Sequence, residues 1–225
     1  MNALRGLVLA SAAFAALCLG NVANAGIIFD NLTGTTGNGG TASSGGSASI
    51  SSANNGPLGN SFTTTSGSNL LTDVKLVLSA TTPTDGGSFS VLLMSNNASN
   101  NTPGSVLATL GTINDSSLTS TLANYDVAIS TPYLLAASTR YYIELNGNPT
   151  SARWSYTQTN YGVGVANEFN FYAGSSSANS AFTPYQMQVT TAAAAAGAVP
   201  EPASLALSGI GLAVVAIARR RLARA

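Results

Sequence analysis

Few groups in this chain could do acid–base or ligand chemistry, and almost all of them are carboxylates. Between Gly26 and Ala198 they are Asp30, Asp73, Asp85, Asp115, Asp126, Glu144 and Glu168. The chain has no histidine, so the commonest general base and the commonest transition-metal ligand are both missing. Its one cysteine, Cys18, lies near the N-terminus, which leaves the rest without a thiolate or a disulfide. Two carboxylates can hydrolyse a glycoside when they flank a cleft and one has a raised pKa. Here Asp126, Glu144 and Glu168 fall on predicted strands and Asp85 and Asp115 in turns, and no spacing marks a pair. Calcium wants clustered acidic oxygens, and no Asp-x-Asp occurs. The chain therefore reads as non-enzymatic, with no catalytic, cofactor-binding or metal-binding residue expected.

Aromatic rings offer a second chemistry, stacking on sugars. Trp154 and Tyr156 are the candidate glycan contacts, with Tyr142, Tyr161, Tyr172 and Tyr185 behind them. Against this, aromatics make up 7% of the chain, which is no excess. Rings on strands commonly pack in a core with their polar tips at its rim, and that reading is favoured here.

The elements that must position these groups are legible from composition. Charged residues make up only 7% of the chain, against about 25% in ordinary soluble domains. Ser, Thr, Asn and 23 Gly supply the polarity instead, as in exported all-β proteins. Residues Gly26 to Ala198 hold three cations (Lys75, Arg140, Arg153) against seven acids, a net charge of −4. An acidic middle without a basic patch argues against a nucleic-acid partner.

The two ends are signals. Met1 to Ala25 has a cation at Arg5, an apolar stretch from Gly6 to Gly20 and a small-residue cleavage site at Ala23-Asn24-Ala25, so a cut is expected before Gly26. This is a secretory signal peptide, whose partners are the Sec translocon and signal peptidase. At the other end Val199-Pro200-Glu201-Pro202 precedes an uncharged run from Ala203 to Ala218 and the cluster Arg219-Arg220-Arg221. As a single transmembrane helix, 16 residues rise about 24 Å, short of the ~30 Å hydrocarbon core but within reach of snorkelling arginines. The arginines place the C-terminus in the cytoplasm and act as a stop-transfer signal. Thr191 to Ala198 reads as an Ala-rich linker.

Between the signals, short runs with period-two alternation are separated by turn residues. Val74, Leu76 and Leu78 share one face; Phe89, Val91 and Leu93 share another across the Asp85-Gly86-Gly87 turn. Val106, Ala108 and Leu110 alternate, as do Tyr125, Val127 and Ile129. Tyr141, Ile143 and Leu145 oppose Arg140, Tyr142 and Glu144. Thr131 to Ala137 reads as a bend. Some nine to eleven strands at such spacing predict an all-β domain, a β-sandwich or jelly roll over residues 26–190. Gly162, Gly164 and Gly174 read as turn or bulge glycines.

The three-part C-terminus, 199–225, resembles a PEP-CTERM sorting domain. The resemblance implies an exopolysaccharide-producing Gram-negative bacterium and recognition by an exosortase, a membrane-embedded transpeptidase-like enzyme. Val199 to Pro202 would be its substrate motif, held extended by two prolines. The implied course is transient anchoring in the inner membrane, then release or transfer to the outer surface, the extracellular matrix or a biofilm. The middle resembles the choice-of-anchor exported domains, with choice-of-anchor R the nearest subtype. The pieces that carry this are Leu58 to Phe62, Leu71 to Leu78, Gly87 to Met94, Pro103-Gly104 and Thr131 to Leu145. It implies a β-sandwich and brings no catalytic residues. The expected function is a surface or matrix protein; the alternative is a carbohydrate-binding module for the exopolysaccharide.

Overall fold

The computed structural model describes residues 26–32, 44–51, 53, 56–67, 69–179 and 184–193. Every expectation for residues 1–25, for the motif at 199–202, for the span at 203–218 and for the basic tail lies outside them. Among the described residues no helix is long and apolar enough to cross a membrane.

The all-β expectation holds. Among the described residues, thirteen strands form two antiparallel sheets. The first is organised by β4 (Asn69–Ala80), whose twelve residues serve four partners. On one edge it pairs β13 (Met187–Ala193) and then β10 (Ala152–Thr157). On the other it pairs β8 (Tyr133–Leu135) and β7 (Ala123–Val127). β1 (Gly26–Asp30) lies outside β13, and β2 (Ser44–Ser49) lies outside β10. The second sheet runs β12 (Ser175–Ala178), β11 (Phe169–Tyr172), β3 (Leu58–Thr63), β9 (Arg140–Asn146), β5 (Ser88–Asn97), β6 (Thr102–Asn114). Leu71, Val74, Leu76, Leu78 and Trp154 of the first sheet share one buried cluster with Phe62, Val91, Leu93, Ile143 and Leu145 of the second.

Period-two patterning explains most of this, and a bulge explains how β4 keeps both halves of its apolar face inside. Leu71 and Val74 are both fully buried although three residues apart. The register steps from Asp73↔Thr190 to Leu71↔Thr191, which leaves Thr72 without an opposing partner on β13. That extra residue reverses the alternation, so Leu71 and then Val74, Leu76 and Leu78 all face the core.

Three differences from the sequence reading have physical causes. The segment around Tyr133, expected as a bend, is strand β8, because the length of β4 leaves a free edge beside Asn69 to Leu71. The Ser-rich strand β12 carries no apolar alternation; it forms because Ala173 and Gly174, both at positive φ, turn the chain back on β11. Thr191, Ala192 and Ala193, expected as linker, continue β13 and pair with β4, so the strand ends three residues beyond the domain boundary at 190.

Buried polar groups form a satisfied seam beside the Trp154 pocket. Asn31 donates to the Tyr185 carbonyl at 2.9 Å and accepts the Met187 N–H at 2.8 Å. Gln186 donates to the Asn31 carbonyl at 3.3 Å and accepts the Ser155 hydroxyl at 2.6 Å. Such a network costs little only when complete, and it fixes how the end of β1 meets the start of β13.

Candidate functional site

The sugar-contact expectation for Trp154 fails on burial. Trp154 is 0% exposed. Its ring stacks on Tyr185 at 4.7 Å between centroids and 18° between planes, and its indole N–H donates to the Gln186 carbonyl at 2.8 Å. β10 is flanked by β4 and β2, so residues on its inner face have no open side; Trp154 is the centre of the core and has no face for a ligand. Tyr156, two residues on, is half-buried against the same core. A Cβ on Gly46, its register partner, would stand 2.6 Å from the Tyr156 hydroxyl, so the glycine makes room for that ring. Tyr185 is buried too, and its hydroxyl is pushed above its ordinary pKa chiefly by that burial.

The densest polar cluster sits instead on the outer face of the six-stranded sheet. Ser61 and Thr63 on β3 point outward, as do Arg140, Tyr142 and Glu144 on β9, which follows from period two with Phe62, Tyr141 and Ile143 inside. Glu168, just before β11, is 3% exposed. It accepts hydrogen bonds from the Ser61 and Thr63 hydroxyls and from Arg140 Nε at 2.9 Å. Arg140 also donates from Nη1 to Asn101 Oδ1 at 3.0 Å and from Nη2 to the Asn167 carbonyl at 2.9 Å. Its guanidinium lies 4.8 Å over the Phe169 ring. Tyr142 donates to the Asn101 carbonyl, and burial raises its pKa. Sequence reasoning missed this grouping: the residues span more than a hundred positions, and only strand register joins them.

A depression of about 460 Å³ opens beside the cluster, lined by Thr63, Arg140, Glu168, Gly162 and Gly164. Gly162 and Gly164 have φ of +133° and +68°, and a Cβ on either would strike the carbonyl of Asp30 or Ile28. They let this loop lie against β1, as turn glycines should. Both carboxylate oxygens of Glu168 and all three guanidinium nitrogens of Arg140 have partners within the protein, so the cluster braces the loop.

Glu144 is a carboxyl with a strongly raised pKa. It is 6% exposed and stands between Gly59 on β3 and Leu92 on β5. Phe171 and Tyr142 close over Gly59, within 3.3 and 3.4 Å of where its Cβ would be. Burial pushes Glu144 up to about 7, against a lowering by the Asn146 side chain. Its ordinary value is 4.5, so between about pH 4.5 and 7 the folded state binds more protons than the unfolded one. Stability from this group is thus fully present below the lower value and is lost as pH rises through the upper. We expect the urea midpoint to fall across that window by an amount on the order of 2–3 kcal/mol in stability, and Glu144→Gln to flatten the slope. Glu144 does not line the depression that Glu168 lines.

Asp115 is fully buried and accepts the Thr150 hydroxyl at 2.7 Å and the Ser151 N–H at 2.6 Å, pinning the approach to β10. Asp85 lies beside it, although the sequence marked no such pair. The Gly87 N–H is the main cause holding Asp85 below its ordinary pKa; Ser151 and Asp115 add to it against some desolvation. Lys75 and Asp126 face each other across β4 and β7 at 3.2 Å as an exposed pair. Desolvation, then Asp126, raises Asp73 beside them, with Lys75 opposing. Among the described residues no three acidic, cysteine or histidine side chains gather to hold a metal.

Gly26 opens β1, while Ala23 and Ala25 precede the described residues. No curated protein and no solved structure matches the chain. One family model does match, over residues 198–221, and its description is a PEP-CTERM protein-sorting motif. It takes in Val199, Pro200, Glu201, Pro202 and Arg219 to Arg221. The chain thus carries at its C-terminus the motif of proteins sorted by exosortase, which indicates export and transient membrane anchoring before display at the surface.

Proposed function

We propose that this is a non-enzymatic exported protein of an exopolysaccharide-producing cell, displayed on the outer surface or in the surrounding matrix as a structural or adhesive component. Sec and signal peptidase remove Met1 to Ala25. The C-terminal segment then holds the chain in the inner membrane, with Arg219 to Arg221 in the cytoplasm, until exosortase acts near Val199 to Pro202. The carrying observation is the motif match at 198–221. The domain supports the non-enzymatic part: Asp115 and Glu168 are committed to bracing the fold, and the chain has no histidine.

Mass spectrometry of the mature protein tests the sorting. Loss of residues 1–25 and of the span from Ala203 onward is expected. Pro200→Ala with Pro202→Ala should leave most of the protein membrane-bound and unprocessed, because the segment no longer stays extended. An intact C-terminus in cells with a working exosortase would overturn the reading.

A further inference from the structure

The sandwich is open along one flank. β6 is an edge of its sheet, and β8 stands at an edge of the other. Two depressions lie along this flank, of about 590 and 240 Å³, and Leu107 and Tyr133 line both. The larger one has mixed chemistry. Its apolar wall is Leu107, Tyr133 and Leu134, the last 60% exposed; Ser95, Asn96 and Ser138 are among its polar residues.

Two features of this cleft are unfavourable for the domain alone. The amide oxygen of Asn96 is shielded from solvent and has no hydrogen-bond partner. Ser138 has φ +48°, in the left-handed region that few residues other than glycine adopt. Unpaired polar groups and backbone strain are uncommon, and they cluster at functional sites.

We propose that this cleft binds a neutral saccharide segment of one or two hexose units. A hexose has a C–H face and a rim of hydroxyls. Tyr133, Leu107 and Leu134 offer the apolar surface for the first. Asn96 and Ser95 offer hydrogen bonds to the second. Ser95 Oγ already accepts the Ser105 N–H at 2.9 Å and keeps its own proton to donate. Asn96 lines the cleft, and its amide N–H2 can donate to a sugar hydroxyl. The volume lies in the range of small-ligand clefts. The ligand is neutral because the cleft's cation is already spent: all three guanidinium nitrogens of Arg140 are bound to Glu168, Asn101 and Asn167. No charge is left for a uronate or a phosphate. This binding is separate from sorting, since a chain could be processed at its C-terminus and hold no sugar.

Calorimetry of the full chain in a sugar-free zwitterionic detergent tests it. The probes are gluco-, manno- and galacto-tetrasaccharides, with a tetragalacturonate as the acidic comparison. At least one neutral probe should bind, and Tyr133→Ala and Asn96→Ala should each weaken it tenfold or more. Leu134→Arg should do the same by obstructing the mouth; because that side chain is exposed, this variant keeps the fold and separates lost binding from lost structure. Tyr161→Ala, outside the cleft lining, should change nothing. Silence from all three neutral probes would overturn the proposal, as would tighter binding of the acidic one, or binding that Leu134→Arg leaves intact.

Discussion

Trp154→Ala should cost about 3–5 kcal/mol, a large fraction of a total stability on the order of 5–15 kcal/mol. The cost has three parts. Removing a fully buried indole leaves a cavity at the centre of the core. The Tyr185 ring loses its stacking partner at 4.7 Å. The Gln186 carbonyl loses the indole N–H it accepts at 2.8 Å in a place water does not reach. Urea denaturation should show a lower midpoint with little change in slope. Trp154→Phe should recover part of the loss, through volume and stacking but without the N–H. A midpoint within 1 kcal/mol of the parent would show that this ring does not carry the core. A failed glycan assay on the alanine variant would report a damaged core, so Trp154 cannot serve as a probe of sugar binding.

Arg140→Ala is the second large effect. It leaves Glu168, 3% exposed, without the cation that neutralises it. Breaking a buried ion pair from one side typically costs about 3–5 kcal/mol; since the Arg140 side chain is 25% exposed, we expect the lower end, about 3 kcal/mol. The same change frees Asn101 and the Asn167 carbonyl and removes the cation over Phe169. Adding Glu168→Gln should restore part of the loss, because a neutral amide can still meet the Ser61 and Thr63 hydroxyls. The double-mutant cycle in urea should therefore give a coupling above about 1 kcal/mol. Additive single effects would mean that the pair is only a surface contact.

What the sequence revealed depended on whether the signal was local. The faces of β4, β5 and β9 were readable because Val74-Leu76-Leu78, Phe89-Val91-Leu93 and Tyr141-Ile143-Leu145 each alternate within one strand. The turn at Asp85 to Gly87 was readable for the same reason, and the Gly87 N–H does bond to Asp85 at 2.9 Å. β8 and β12 were not, since one exists only because a neighbour has a free edge and the other is almost all serine. Edge strand β6 was half-read: Val106, Ala108 and Leu110 alternate, but three register shifts against β5 leave Val106 55% exposed while Leu110 is buried. The Glu168–Arg140 brace and the flank cleft are products of register between distant strands, which no single-strand pattern encodes. The sorting motif was legible in full because it works as a linear segment.

The pairing of Gly26 with Thr191 has a mechanical consequence. β1 and β13 are antiparallel, so the domain's two ends leave side by side from one rung of a single ladder. A load pulling those ends apart would open that ladder rung by rung, at low force.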